Sequence, residues 1–102
     1  MSNLTVTISP EVIRTVVRNT ALATPGVLAL VESERVVGRA MRGVDVKMAD
    51  GRAIVALRVV ASTDVSLHAL SQQLRQSVAE VVEEVTGIPV TLVDVSIEDV
   101  RK

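Results

Sequence analysis

A single histidine and a few carboxylates are the side chains of this sequence whose types suit acid–base chemistry. His68 is the one histidine, and Asp64 precedes it by four positions, which on a helix puts the two side chains one turn apart. A general base of this kind also needs a nucleophile held beside the histidine, and the spacing offers none. We therefore interpret Asp64 and His68 as neighbours on a helix surface and predict no catalytic residue.

Gly38 and Gly43 have the spacing of the glycines in a phosphate-binding loop. Val44 stands where that loop has its lysine, and no strand-to-helix pattern surrounds the segment, so the similarity is superficial. Arg39 and Arg42 could still contact an anion, but a charged segment with glycines between apolar runs is typical of solvated chain. We predict that residues 32–43 form an exposed loop or a loosely ordered short helix, the most mobile part of the protein.

Composition argues against cofactor and metal sites. The chain has no cysteine, which excludes disulfides and thiolate ligands, and one histidine with scattered carboxylates makes a poor transition-metal site. It has no Phe, Tyr or Trp, so nucleobases have no ring on which to stack. Glu80, Glu83 and Glu84 are neighbours on a predicted helix and lack an opposed carboxylate, so we expect neither hydrolase chemistry nor any cofactor.

Charge is nearly balanced over the whole chain but unevenly distributed along it. The net charge is −1, which leaves no overall positive field for DNA or RNA. Six basic and two acidic residues lie between residues 35 and 58, whereas six acidic residues and no basic one lie between residues 80 and 99. Regions of opposite sign can attract one another between copies, and ordinary solvated surface is the alternative interpretation. The candidate interaction surface consists of Arg35, Arg39, Arg42, Glu80, Glu83 and Glu84.

The length of 102 residues predicts one domain, residues 1–102, with a core of Val, Ala, Leu and Ile. The longest near-apolar stretch, Ala21–Val31, is broken by Thr24, Pro25 and Gly26 and is far shorter than the roughly 20 residues of a membrane-spanning helix. The N-terminal residues lack the charged and apolar regions of a signal peptide. We expect a cytoplasmic protein that meets a membrane peripherally, through a partner.

Apolar periodicity predicts two helices and five strands. One helix begins at Ser9-Pro10-Glu11, where a cap, an N-terminal proline and an acidic first turn combine, and it ends at Thr24-Pro25-Gly26. The longer helix carries an apolar stripe and ends at Gly87. Its stripe consists of Leu67, Leu70, Leu74, Val78, Val81 and Val85. The predicted strands are Leu4–Ile8, Val27–Val31, Val44–Met48, Ala53–Ala61 and Val90–Val100.

The order of these elements, β-α-β-β-β-α-β, predicts an α+β fold in two layers. Asp50-Gly51 is typical of a hairpin turn, and the strand that follows is apolar on both faces, which places it at the centre of the sheet. The apolar parity of the last strand changes near Leu92-Val93, which indicates a bulge or two buried faces. We predict a small mixed sheet with three core strands and both helices on one face.

The order and spacing of several segments resemble the alkaline shock protein family of bacterial envelope stress-response proteins. The similarity covers almost the whole chain, and it rests on the arrangement of the segments more than on any one of them. They are Ile8–Ile13, Ala21–Val27, Gly43–Val46, the Asp50-Gly51 turn, Ile54–Val60, Val81–Gly87 and Val90–Val100.

This resemblance implies a non-enzymatic cytoplasmic protein that acts as a scaffold or adaptor beneath the membrane. It implies self-association, binding to a membrane-anchored partner, and a link to alkaline and cell-wall stress. Some relatives serve fatty-acid metabolism instead. The family offers no catalytic residue that could be carried over to a position of this sequence.

Two further functions stay open beside this one, a KH-like nucleic-acid-binding module and a regulatory protein of fatty-acid metabolism. A KH module needs a Gly-X-X-Gly loop between helices, and the sequence has none. The acidic second helix would also repel phosphate, so we expect no nucleic-acid partner. An enzyme with His68 as its base is the remaining alternative, and it lacks the nucleophile described above.

Overall fold

The computed structural model describes residues 6–31, 34–36, 39–41 and 43–102. These residues form two α-helices and six β-strands, numbered in chain order. The helices are α1 (Pro10–Ala23) and α2 (Leu67–Thr86). The strands are β1 (Val27–Leu30), β2 (Glu34–Val36), β3 (Arg39–Met41), β4 (Val44–Ala49), β5 (Arg52–Ser62) and β6 (Val90–Arg101).

The helix boundaries follow the capping signals of the sequence. α1 begins at Pro10, whose fixed φ suits a first turn, and Ser9 takes the N-cap position without a side-chain hydrogen bond. At the start of α2 the cap is complete, because Ser66 Oγ accepts a hydrogen bond of 3.3 Å from the N–H of Ala69. α2 ends where Gly87 adopts a left-handed φ of 74°, as predicted.

The buried stripe of α2 departs from the prediction in the C-terminal half of the helix. Four residues of α2 are buried, and they follow one another at steps of four: Leu70, Leu74, Val78 and Val82. The predicted Val85 is instead 63% exposed, and Leu67 and Val81 are only partly covered. Steps of four keep the buried row on a single ridge of the helix, and that ridge packs on the sheet through Val82.

β5 is the central strand of the main sheet, as predicted, and it has neighbours on both edges. β6 pairs with it in parallel from Ala53↔Val90 to Ser62↔Arg101. β4 pairs antiparallel with residues 52–57 of β5, and β1 pairs antiparallel with residues 59–61. Because β6 occupies one edge over this whole length, β1 and β4 lie end to end along the other edge. The four-stranded sheet is therefore mixed and only three strands wide.

β2 and β3 form a separate antiparallel hairpin, inserted between β1 and β4. The chain leaves the main sheet after Val31, whose N–H donates to the Arg58 carbonyl at 2.9 Å, and it returns at Gly43, whose carbonyl accepts from the Arg58 N–H at 2.8 Å. The predicted loop or short helix is thus wrong for residues 34–36 and 39–41, because strands of three residues are too short for a periodic signal. The rest of that predicted segment before Gly43 lies outside the described residues.

The chain before α1 was predicted as a strand over Leu4–Ile8. Residues 6–8 have no regular secondary structure, and residues 4–5 lie outside the described part of the chain. Val6 is 81% exposed, whereas Ile8 packs against the core that contains Ile13. Ile8 and Ile13 occupy the two positions of a hydrophobic staple, in which apolar residues flanking the first turn fix how the chain enters the helix.

From α1 onward the main elements follow the predicted order, and both helices cover the same face of the sheet. α1 packs over β1 and β4, α2 packs over β6, and the two helices pack against each other. The largest side chains without exposed area, among them Leu57 and Leu74, fill the space between the layers. The predicted α+β, two-layer fold is confirmed.

Candidate interaction site

The side chains that suit acid–base chemistry do not form a site. His68 is exposed on the first turn of α2, and Asp64 is exposed in the turn before it. No hydrogen bond or ion pair joins these two described residues; the Asp64 N–H donates instead to Ser62 Oγ at 3.1 Å, and the His68 carbonyl accepts from Ser71 Oγ at 2.9 Å. Nothing in this arrangement would hold a nucleophile beside the imidazole.

Gly43 has a packing role that the phosphate-loop spacing does not predict. A Cβ at this position would lie 2.6 Å from the Val31 carbonyl oxygen and 2.9 Å from Leu30 Cβ, so no larger residue fits without a shift of backbone. The glycine lets the two ends of the inserted hairpin segment approach each other closely. Gly38, the other glycine of the spacing, lies outside the described residues, and β3 is followed by β4 and not by a helix.

The candidate arginines belong to the inserted hairpin or adjoin it. The backbone of Arg35 lies in β2 opposite Ala40, and the backbone of Arg39 lies in β3 opposite Val36, so the two arginines are not cross-strand partners. Arg42 lies outside the described residues, as do the side chains of Arg35 and Arg39.

The candidate glutamates lie in the C-terminal half of α2. Glu80, Glu83 and Glu84 are all exposed, and Gln76 Nε2 donates to Glu80 Oε1 at 3.1 Å. Between described residues, no ion pair joins any of the three to a basic side chain. The predicted contact between these glutamates and the arginines of a second copy stays a prediction.

The basic and acidic regions do contact each other within one chain, at another point. Arg58 Nε on β5 donates to Glu98 Oε1 on β6 at 2.7 Å, and the two side chains are 18% and 36% exposed. This pair could not be predicted from the sequence, because the partners are 40 positions apart and meet only through the parallel register of β5 and β6. Arg58, one of the six basic residues between residues 35 and 58, is thereby already paired within the chain.

The face of the main sheet that points away from the helices is not covered by any described element. A shallow groove of about 180 Å³ runs across it. Leu92 in this groove is 56% exposed. The groove is lined by Asp45, Lys47, Ile54, Val55, Ala56, Leu92 and Asp94.

The backbone groups on the two outer edges of the main sheet have different partners. On the β4 edge, Arg14 of α1 donates from Nε to the Val44 carbonyl at 3.2 Å, and Arg14 also pairs with Glu11. On the outer edge of β6, no strand of the described part of the chain pairs with the backbone.

Two classes of site find no support in the described residues. No three of their His, Cys, Asp or Glu side chains lie close enough together to hold a metal ion. Neither described helix has the length and apolar character needed to cross a membrane.

Solved structures similar to this chain agree with the two-layer fold. A variant of the MamM CTD in its copper form is 12% identical, with a TM-score of 0.59, and the match covers 92% of this chain and 100% of that one. Another MamM CTD variant is 13% identical with a TM-score of 0.58, covering 89% of this chain and 96% of that one. Identities this low establish a common fold and no more.

Sequence comparison identifies the family. No curated protein sequence matches the chain significantly. The sequence profile of the alkaline shock protein family, described as having a cell envelope-related function, matches residues 1–102. The resemblance inferred from the order of the segments is thereby confirmed. The chain belongs to the alkaline shock protein family, whose function is related to the cell envelope.

Proposed function

We propose that this protein is a non-enzymatic scaffold or adaptor of the envelope stress response. In this proposal it lies in the cytoplasm, binds a second copy of itself, and is held near the inner face of the membrane by a membrane-anchored protein. The family assignment supports the envelope context. The uncovered face of the main sheet is the observation that carries the binding role.

That face has the composition of a surface for another protein. Apolar Leu92 and Ile54 lie in a groove whose rim carries charges of both signs from Asp45, Lys47 and Asp94. An apolar centre with a charged rim is the usual anatomy of a protein–protein interface. A two-layer fold leaves one sheet face without a helix, so binding there needs no rearrangement of the core.

The non-enzymatic part of the proposal rests on the arrangement of the polar side chains. His68 and Asp64 are both exposed and are not bonded to each other. The carboxylates of α2 face solvent, where they are screened and well hydrated. Full function of a His68→Ala variant in a complementation assay would agree with this, and loss of function would contradict it.

The charged regions provide a second, weaker set of proposed contacts. The arginines at positions 35, 39 and 42 and the exposed Glu80, Glu83 and Glu84 could attract each other between copies, because no ion pair between described residues neutralises the glutamates. A contact between two different surfaces is head-to-tail and can extend beyond a dimer. Contacts of this kind weaken as salt is added.

Light scattering behind a sizing column, over a range of protein concentration at low and high salt, tests self-association. A mass that rises with concentration supports the scaffold role, and a decrease of that mass in high salt supports the charged contacts. Arg39→Glu and Glu83→Lys should each lower the mass, and the double variant should restore it. A single-copy mass under every condition would contradict self-association and leave only the membrane-anchored partner, to be sought by pull-down.

A further inference from the structure

The outer edge of β6 is a long row of backbone groups that the described part of the chain leaves without a partner strand. β6 has 12 residues and no proline, β5 occupies only its inner edge, and between two register shifts the pairing with β5 is regular over Leu92–Ile97. An edge of this length readily pairs with a strand of another chain unless something covers or interrupts it. The self-association of the proposed function can therefore be assigned to a definite surface.

The direction of the backbone groups follows from the hydrogen bonds of β5. Arg58 directs both its N–H and its carbonyl to the β1/β4 edge, so Leu57 and Val59 direct theirs to β6. In a parallel pair of strands, a residue bonds to the residues before and after the one opposite it. Leu57 stands opposite Val95, so it bonds to Asp94 and Ser96. The N–H and carbonyl of Val95 therefore point away from β5, to the outer edge.

The same alternation directs the backbone N–H and carbonyl groups of Val93 and Ile97 to the outer edge, because these two residues stand opposite Val55 and Val59. The side chains of these three β6 residues lie on the helix side of the sheet, where Val93 is buried and Val95 and Ile97 are half-buried. Outward-directed backbone groups and incompletely covered apolar side chains thus coincide at Val95 and Ile97.

We propose that β6 pairs antiparallel with β6 of a second copy about a two-fold axis through Val95. This inference rests on the self-association in the proposed function. Val95 then faces Val95 of the second copy, and Val93 faces Ile97, so all three outward-directed residues form hydrogen-bonded pairs. The two main sheets become one continuous sheet, and the half-buried valine and isoleucine side chains cover one another.

Charge selects this register over the neighbouring ones. A shift of the axis to residue 94 would put Asp94 opposite itself, and a shift to residue 96 would put Asp94 opposite Glu98. Like charges directly opposite on neighbouring strands are destabilising. With the axis at Val95, Asp94 faces Ser96 and Leu92 faces Glu98, so no like charges are opposed.

The decisive variants change Ser96, which is exposed. In the proposed pair, Ser96 of each copy lies opposite Asp94 of the other copy, so the contact occurs twice. Ser96→Asp creates two like-charge pairs and should raise the dissociation constant about fivefold, whereas Ser96→Lys creates two attractive pairs and should lower it about fivefold. Both shifts should shrink in high salt. Asn19→Asp and Asn19→Lys make the same charge changes on an exposed position of α1, which packs over the opposite edge, and should leave the constant unchanged.

Hydrogen exchange of the backbone amides gives a second measurement that does not depend on any variant. The amides of Asp94 and Ser96 bond to β5 and should be protected at every protein concentration. The amides of Val93, Val95 and Ile97 should exchange rapidly in dilute protein and become protected as the concentration rises. A structural role of β6 within one copy would not produce this alternation.

The outcomes separate this inference from the proposed function. If the mass rises with concentration but is the same for Ser96→Asp, Ser96→Lys and the wild type, self-association stands and the β6 pairing is wrong. If neither the wild type nor Ser96→Lys ever exceeds the mass of one copy, both the pairing and self-association are wrong. Opposite shifts for the two Ser96 variants, together with protection of Val95, support the pairing.

Discussion

The two edges of the main sheet differ in what bonds to their outward-directed backbone groups. On the β1/β4 edge the pairing with β5 is interrupted between Val31 and Gly43 by the inserted hairpin. An outward-directed carbonyl of that edge, at Val44, is bonded to Arg14 from α1. On the β6 edge, 12 residues run along β5, and no described strand covers their outer side.

Burial differs in parallel with this backbone difference. Val46 on β4 and Val93 on β6 flank Val55 and are both 8% exposed, but one step along, where Val44 and Val95 flank Leu57, Val44 is 4% exposed and Val95 is only half-buried. Sheet proteins usually interrupt or cover the edges at which pairing with another chain would be harmful. One edge is thus closed within the chain, whereas the described residues leave the other uncovered, and we propose that a second copy covers it.

Gly43→Ala should have the largest effect, because it adds a side chain where the inserted hairpin interrupts the closed edge. The new Cβ would lie 2.6 Å from the Val31 carbonyl oxygen, and relieving that contact requires movement of backbone on either side of Arg58. We expect the free energy of unfolding in urea to fall by about 3 kcal/mol. Gly51→Ala is the matched control, since that glycine has a φ of 74° and no atom within 4 Å of its Cβ position, and it should cost about 1 kcal/mol. Equal losses would contradict a packing role for Gly43.

Val46→Ala and Val95→Ala compare the two edges directly with the same chemical change. At a protein concentration low enough to keep the protein monomeric, Val46→Ala should lower the free energy of unfolding by about 2 kcal/mol. Val95→Ala should lower it by about half as much, since less of its side chain is buried. Urea unfolding at increasing protein concentration then sharpens the comparison. The cost of Val95→Ala should grow as copies associate, while the cost of Val46→Ala should stay constant. Equal and constant costs would remove the distinction between the edges.

The features that could be predicted from the sequence are those governed by neighbouring residues. The turn at Asp50 and Gly51 has φ values of 52° and 74°, as an Asp-Gly hairpin turn requires, and the change of parity near Leu92 corresponds to a register shift between Val90 and Leu92. Helix ends and the central position of β5 were predictable for the same reason, because caps and two-faced apolar runs are local patterns.

The features that could not be predicted depend on register and on three-dimensional approach. Nothing in the spacing of Arg14 and Val44 indicates that the arginine bonds to a carbonyl 30 positions away. The inserted hairpin was missed because its strands are short and charged, and Val82 was missed in favour of Val85 because both fit a helical stripe until the sheet selects one ridge. The candidate interaction residues were chosen by charge alone, and neither the face nor the edge of the sheet is visible in a count of charges.

Arg14→Gln tests whether the closed edge depends on its side-chain hydrogen bond. Removing the guanidinium leaves the Val44 carbonyl without that donor, and we expect a loss of about 1 kcal/mol of unfolding free energy. Glu11→Gln removes the neighbouring ion pair but keeps the bond to Val44, and it should cost less. Should Glu11→Gln prove as costly as Arg14→Gln, the ion pair and not the edge carbonyl would explain the effect.

Glu98→Gln should have the smallest effect, and it tests how firmly β6 is held to β5 from its inner side. The Arg58–Glu98 pair joins the two strands at 2.7 Å in a partly covered position, so losing its charge should cost about 0.5 to 1 kcal/mol in urea unfolding. Asp99→Asn is the control on the same strand, because its partner Arg101 and Asp99 itself are 66% and 51% exposed, and that pair should contribute almost nothing. The register proposed for two copies places Glu98 opposite Leu92, so Glu98→Gln should leave the dissociation constant almost unchanged while lowering the stability of each copy. A large change in association with Glu98→Gln would mean that Glu98 faces a charge of the second copy, and the register would then have to be shifted.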